Sequence, residues 1–125
     1  ALWEKAIINA AINPLGALLE VPNGKLIENN NTVKIMAGII QEACLVAQAN
    51  GIMTDSNHMI ETTTTVSRNT QNNFCSMLQD ILAKRKTEID SINGAIITFA
   101  QQYSIDTPYN TTVYKLIKYK ESQLI

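Results

Sequence analysis

The sequence has few of the residues that indicate a metal, redox or nucleic-acid-binding protein. It contains one histidine and two cysteines, and Cys44 and Cys75 stand apart without a C-x-x-C spacing, so no zinc or dithiol motif is present. Ten basic residues nearly balance eleven acidic ones, and a net charge of −1 indicates neither a nucleic acid nor an anionic membrane as partner. We expect no metal ligands and a cytoplasmic protein with two buried free thiols.

Signals for strands, repeats, secretion and membrane insertion are also missing. No apolar run approaches the ~18 to 20 residues that a membrane span needs, and no secretory signal opens the chain. The 125 residues suffice for one domain. Because the sequence starts at Ala1 and enters a helical pattern almost at once, we expect residues 1–125 to be a single domain cut from a longer protein.

Helical periodicity extends over nearly the whole chain and predicts an all-α fold of six or seven helices. A first helix is predicted over 2–13 and a short helical piece over 14–20. The later elements are a helix capped by Thr32 and stopped at Gly51, one from Asp55 or Ser56 to Asn69, one over 72–83, one starting at Glu88, and a last one starting at Asp106-Thr107-Pro108.

The stretch Trp3–Leu26 carries the most informative pattern. Lys5, Asn9 and Asn13 are four residues apart and share one stripe of a helix whose other positions are almost all apolar. Such a helix is normally buried, so these polar groups require partners, which a ligand could supply. The alternative is an ordinary surface stripe, with Asn13 as the cap of a second helix that starts at Pro14.

Glu88, Ser76 and His58 each have two interpretations. Glu88 is either a first-turn carboxylate that stabilises its own helix or the counter-ion of a buried Lys5 ammonium. Ser76 either bonds to its own backbone or points into the same cavity as the stripe. His58 has no partner at ligand spacing, so we interpret it as a surface histidine.

Five blocks together resemble the C-terminal domain of ketopantoate reductase (2-dehydropantoate 2-reductase). They are Lys5-x-x-x-Asn9-x-x-Ile12-Asn13-Pro14-Leu15, Pro22-Asn23-Gly24, Asn73-x-x-Ser76-Met77-Leu78-Gln79-Asp80, Arg85-x-Thr87-Glu88-Ile89-Asp90-x-Ile92-Asn93-Gly94 and Thr107-Pro108-x-Asn110. The resemblance implies a helical domain similar to the C-terminal domain of 6-phosphogluconate dehydrogenase. It also implies a preceding Rossmann domain that binds NADPH; this chain lacks G-x-G-x-x-G, the fingerprint of that domain.

The family's site residues match positions of this sequence one by one. Lys5 matches the catalytic lysine, and Glu88 matches the carboxylate that organises the lysine, the substrate and the cofactor. The positions that match substrate contacts are Asn9, Asn13, Asn23, Asn73 and Ser76. The implied reaction is the reduction of ketopantoate to pantoate, on the route to pantothenate and coenzyme A, with the lysine as general acid.

Two alternatives remain open at the level of sequence. A related 2-keto acid reductase would share Lys5 and Glu88 but take another substrate. A helical association module without chemistry of its own would fill its cavity with side chains. A homodimer is compatible with each interpretation, and we expect the isolated chain to show neither NADPH binding nor activity.

Overall fold

The computed structural model describes residues 2–124, and over this range the secondary structure is entirely helical, which confirms the predicted all-α class. The elements are α1 (Leu2–Leu19), a 3₁₀ helix (Asn23–Ile27), α2 (Asn30–Ala49), α3 (Ser56–Asn69), α4 (Ser76–Leu82), a 3₁₀ helix (Ile89–Ser91), α5 (Asn93–Gln102) and α6 (Pro108–Ser122). Helix α1 packs against α2, α3, α4 and α6, so the stripe-bearing helix is the central one.

The helix boundaries follow their capping residues. Of the two predicted caps of α3, Asp55 and Ser56, it is Asp55 that caps the helix, since its carboxylate accepts a hydrogen bond from the backbone N–H of His58 at 2.9 Å. Helix α2 ends at Ala49, Asn50 is its C-cap, and Gly51, the predicted stop, follows with a φ of +79°. The predicted Thr32 cap is wrong. Asn29 caps α2 instead, and the Thr32 hydroxyl donates to the carbonyl of Leu26 at 2.6 Å.

Two further boundaries differ from the prediction. Helix α4 begins at Ser76 rather than near Asn72, because residues 70–73 form a turn, in which the Asn73 N–H donates to the Thr70 carbonyl. Glu88 does not open a long helix. It precedes the single 3₁₀ turn Ile89–Ser91, and α5 starts only at Asn93. Glu88 therefore lies on a short connection between helices.

The predicted break at Asn13 is also wrong, because α1 continues through Pro14 as one helix of 18 residues. A proline inside a helix lacks the N–H that would bond to the carbonyl four residues earlier, which here is the carbonyl of Ala10. The side-chain amide of Asn93 on α5 donates to that carbonyl at 3.1 Å, in a fully buried position. A side chain 83 residues away thus replaces the missing backbone donor.

We expect Asn93→Ala to destabilise the 125-residue chain by about 1 to 3 kcal/mol, since it strips a buried carbonyl of its donor. The loss should be smaller when Pro14 is also replaced by alanine, because the restored N–H can then bond to Ala10. Urea unfolding of the two single variants and the double variant measures this coupling. Additive losses would show that the Asn93 contact does not compensate for Pro14.

Asn93 belongs to a buried polar chain that joins four helices and is formed by Ala10, Asn93, Asn110 and Glu42. Its amide also donates to the Asn110 side-chain oxygen at 2.9 Å, and the Asn110 amide donates in turn to Glu42 at 2.9 Å. The Glu42 carboxylate is 7% exposed and accepts two more bonds, from the backbone N–H groups of Tyr109 and Asn110. Glu42 on α2 therefore caps the N-terminus of α6.

Helix α2 is long and apolar enough, by length and composition alone, to resemble a membrane span. It has 20 residues, with a mean hydropathy of 1.2 over its best 18, so the expectation that no apolar stretch approaches the length of a membrane span is wrong for α2. Half of that stretch is buried inside the domain, where Met36, Ile39 and Ile40 enter the main apolar cluster. Core helices of soluble proteins have the same property.

Candidate functional site

The predicted stripe lies along α1 and changes in burial from one end to the other. Lys5 is exposed, Asn9 is half-buried and Asn13 is 9% exposed. A helix rises 1.5 Å per residue, so the stripe from Lys5 to Asn13 is about 12 Å long. The charged end thus faces outward, while the last amide lies within the domain.

The Asn13 side chain is the least exposed polar group of the stripe. The residue is 9% exposed, and among residues 2–124 its amide makes no hydrogen bond. Its amide atoms are not among the buried unpaired atoms of the described residues, so they reach the surface of the domain, where water or a ligand can contact them. Asn13 therefore has donor and acceptor capacity that a bound molecule could use.

The residue before Ser76 contacts α1 at the backbone of Asn13. The Cys75 thiol donates to the Asn13 carbonyl at 3.4 Å, and its sulfur accepts from the backbone N–H of Leu78 at 3.4 Å. Burial is the largest influence on this thiol and raises its pKa, so Cys75 is an inert structural residue. Ser76 itself is exposed at the start of α4.

Asn23 and Asn73 are brought together by their backbones. The Asn23 N–H donates to the Asn73 carbonyl at 2.9 Å, and the Gly24 N–H donates to Gln71 at 3.1 Å. A Cβ atom on Gly24 would lie 2.6 Å from the Gln71 side chain, so this approach requires glycine. The Asn23 amide donates to the Thr70 hydroxyl, but its oxygen is buried without a partner. The Asn73 side chain is exposed.

Glu88 approaches α1 through its neighbours. Ile89 shares an apolar cluster with Ala17 on α1 and with Cys75, and Ile92 packs against both apolar clusters. The Glu88 carbonyl accepts hydrogen bonds from the N–H groups of Ser91 and Ile92, whereas its carboxylate is exposed and, among the described residues, unpaired. The carboxylate is therefore available to a ligand.

One of the two interpretations of Lys5 and Glu88 is wrong for this domain. A buried Lys5 ammonium with Glu88 as its counter-ion does not occur, because the Lys5 side chain is exposed. Within the part of the chain that the structure describes, no ion pair within 4 Å joins Lys5 to Glu88. The first turn of α1 lies at the rim of the bundle, where few neighbours cover it. The assigned roles of Lys5 and Glu88 remain predictions.

Sequence reasoning missed the residues that hold the Glu88 segment in place. Thr87, Tyr114 and Glu121 form hydrogen bonds across the gap between this segment and α6. Thr87 lies within a block quoted for the family resemblance, but nothing in the local pattern distinguishes it from a solvent-exposed threonine. Tyr114 and Glu121 follow ordinary amphipathic spacing, so their contacts appear only in three dimensions.

His58 lies in the exposed first turn of α3, where its ring is 3.5 Å from the Thr62 hydroxyl. Across residues 2–124 there is no group of three or more histidine, cysteine, aspartate or glutamate residues that could hold a metal ion. His58 is therefore not part of a metal-binding group in the described residues.

Comparison with known proteins identifies the family to which this chain belongs. The family described as "Ketopantoate reductase PanE/ApbA C terminal" matches residues 1–121. A curated 2-dehydropantoate 2-reductase of Pyrococcus horikoshii is 42% identical over 120 residues, which are 96% of this chain and 40% of that protein. The chain therefore spans about 40% of the length of this relative.

Solved structures agree in fold. D-mandelate dehydrogenase with NADH and anilino(oxo)acetate is similar with a TM-score of 0.92 and 31% identity, over 98% of this chain and 51% of that one. A probable 2-dehydropantoate 2-reductase of Bacillus subtilis has a TM-score of 0.88 and 34% identity, over 94% of this chain and 39% of that one. The chain belongs to the ketopantoate reductase family, of which it forms the C-terminal helical domain.

Proposed function

We propose that this chain is the substrate-binding domain of an NADPH-dependent 2-dehydropantoate 2-reductase, which reduces ketopantoate to pantoate in pantothenate and coenzyme A synthesis. The observation that carries the proposal is the amide of Asn13, which makes no hydrogen bond among the described residues and is accessible at the surface of a residue that is otherwise buried. It lies on the same stripe as Lys5 and Asn9. A polar substrate would form the hydrogen bonds that this amide leaves to water.

The reaction requires a group that supplies a proton where charge develops. When bound, NADPH supplies hydride to the keto carbon. Lys5 stabilises the negative charge that gathers on the keto oxygen and donates the proton that completes the alcohol. Lys5 is exposed in this domain, which supports a site that another part of the full-length protein closes.

The remaining site residues orient the substrate. The amide N–H groups of Asn9 and Asn13 donate to the carboxylate and hydroxyl oxygens of the substrate, and their amide oxygens accept from its hydroxyl; Ser76 adds a hydroxyl from the start of α4. Asn23 contributes from the first 3₁₀ helix, and Asn73 from the segment before α4. The exposed carboxylate of Glu88 accepts hydrogen bonds from the cofactor or from the Lys5 ammonium. Fixing these groups sets which face of the carbonyl is presented to hydride.

NADPH binding belongs to the preceding domain in this proposal, because the five glycines of the chain form no phosphate-binding fingerprint. We further propose a cytoplasmic enzyme, supported by two free buried cysteines. A homodimer is compatible with the proposal. An apolar groove of about 600 Å³ between α1, α2 and α6, which includes Leu19, Tyr109 and Leu116, would provide a surface for it.

A specific observation also favours a second candidate, a related 2-keto acid reductase. The similarity to D-mandelate dehydrogenase covers 98% of the chain, with a TM-score of 0.92, so the same scaffold supports another substrate. Both enzymes reduce or form a carbonyl next to a carboxylate. The stripe on α1 serves either reaction, and the side chains that surround the rest of the substrate must distinguish them.

A substrate panel with the full-length protein tests the proposal. We expect kcat/KM with ketopantoate to exceed that with the 2-keto acid of mandelate by at least about 10-fold, since a site that hydrogen-bonds the substrate hydroxyl discriminates against an analogue that lacks it. The reverse order would favour the second candidate. Absence of turnover with any 2-keto acid and either nicotinamide cofactor would favour an association module.

A further inference from the structure

The segment that carries Glu88 is fastened to helix α6 on both sides of that residue. On the N-terminal side, the backbone N–H and the hydroxyl of Thr87 both donate to one carboxylate oxygen of Glu121, at 2.8 and 2.6 Å. On the C-terminal side, the Tyr114 hydroxyl donates to Asp90 at 2.6 Å. Glu88 itself makes none of these contacts and remains exposed between them.

The Thr87–Glu121 contact is the stronger of the two contacts with α6. Thr87 is 5% exposed and the Glu121 side chain is 9% exposed, so water competes little for their hydrogen bonds. The Asp90 side chain is 47% exposed, and surface pairs of this kind contribute little. Lys118 links the two, because its ammonium lies 3.2 Å from both Asp90 and Glu121.

The protonation state of Glu121 suits this role. Burial acts to raise the pKa of its carboxyl, but the hydroxyl and the N–H of Thr87, together with the Lys118 ammonium, outweigh burial and hold the pKa below its usual range. Glu121 is therefore ionised at neutral pH. Charge-assisted hydrogen bonds to a carboxylate are shorter and stronger than neutral ones, in agreement with the 2.6 Å distance.

Thr87 also fixes the backbone immediately after Glu88. Its hydroxyl oxygen accepts the N–H of Ile89 at 3.2 Å while its proton is donated to Glu121. Ile89 is fully buried, so the residue that follows Glu88 cannot move without disturbing the apolar cluster. The φ and ψ angles at Glu88 are thus constrained from both neighbours.

We propose that Thr87 and Glu121 are positioning residues, which hold the exposed carboxylate of Glu88 at the α1 stripe by clamping its backbone to α6. The inference rests on the proposed function, in which Glu88 contacts the cofactor or the Lys5 ammonium. Catalytic groups must be held within about 0.5 Å of their productive geometry. A single-turn 3₁₀ segment does not supply that rigidity by itself.

The test is a double-mutant cycle in the full-length enzyme. Thr87→Val keeps the shape of the side chain but removes the hydroxyl, and we expect kcat/KM to fall by about 10-fold. Thr87→Ser restores the hydroxyl and should bring kcat/KM back to within about 2-fold of the parent. In a Glu88→Gln background, Thr87→Val should cost less than about 2-fold, since the group to be positioned has already been changed.

Hydrogen exchange of the backbone in 87–91 supplies a readout independent of turnover. Thr87→Val should accelerate exchange there, and Thr87→Ser should not. Tyr119→Phe is the matched control, because Tyr119 is an exposed residue of α6 away from the clamp, 66% accessible. If Thr87→Val fails to fold, Glu121→Gln enters the same cycle, with the same dependence on Glu88 expected.

The outcomes separate this inference from the proposed function. The positioning role would be overturned if Thr87→Val lowered kcat/KM equally in the parent and in the Glu88→Gln background, or if hydrogen exchange in 87–91 did not change. Either result would leave Glu88 in the mechanism. Full activity of Glu88→Gln alone would overturn both the inference and the role of Glu88. A loss that depends on Glu88, with faster exchange, supports the clamp.

Discussion

Lys5→Ala in the full-length enzyme should lower kcat by at least about 10²-fold. In the proposed mechanism, removing the ammonium leaves the developing alkoxide without its counter-charge and without its proton donor. The side chain is exposed in this domain and makes no contact on which the fold depends, so the variant should fold and melt like the parent. Steady-state kinetics with ketopantoate and NADPH measure the loss.

Two further variants sharpen this prediction. Lys5→Arg keeps a positive charge but binds its proton too tightly to donate it at neutral pH, so its kcat should lie closer to that of Lys5→Ala than to that of the parent. Lys34→Ala removes an exposed lysine from α2 and should change kcat by less than about 2-fold. Turnover of Lys5→Ala within a few-fold of the parent would remove this residue from the mechanism.

Glu42→Leu should lower the free energy of unfolding of the chain by about 3 to 5 kcal/mol. This is a large part of the total free energy of unfolding of a typical domain, about 5 to 15 kcal/mol. The leucine fills a similar volume but cannot accept a hydrogen bond. The N–H groups of Tyr109 and Asn110 and the Asn110 amide then lose their common acceptor inside the domain. Urea unfolding of the 125-residue chain gives the difference in free energy.

The neighbouring residue provides the control for Glu42. Gln41→Leu makes a comparable substitution at an exposed position of α2 and should shift the free energy of unfolding by no more than about 0.5 kcal/mol. Glu42→Gln retains one oxygen and should fall between the two. A loss below about 1 kcal/mol for Glu42→Leu would show that α6 does not depend on this carboxylate for its N-terminus.

Local sequence patterns predicted most of the helices but not all of their ends. The start of α3 and the stop at Gly51 depend on residues within a few positions of each other; the stop was predicted correctly, and the cap of α3 was narrowed to Asp55 or Ser56. The continuity of α1 was not, because a helix passes through Pro14 only when another segment satisfies the Ala10 carbonyl. Asn93 supplies this hydrogen bond from 83 residues further along the chain, so no local pattern can predict it.

The same distinction applies to the candidate site. Spacing placed Lys5, Asn9 and Asn13 on one stripe, since four residues return nearly to the same side of a helix. Spacing could not show that Lys5 is exposed while Asn13 is buried, because burial depends on which helices cover each turn. Nor could it show that Asn23 meets Asn73 through a backbone contact made possible by Gly24.

The buried polar chain has a consequence for how the domain is made. Among the helices of this domain α1 is synthesised first, yet its Ala10 carbonyl lacks its side-chain donor until Asn93 has been synthesised, and Asn93 is in turn oriented by Asn110. The local sequence of α1 therefore does not supply every hydrogen bond of the folded helix. The helix that carries the stripe is completed only when the later helices fold back onto it.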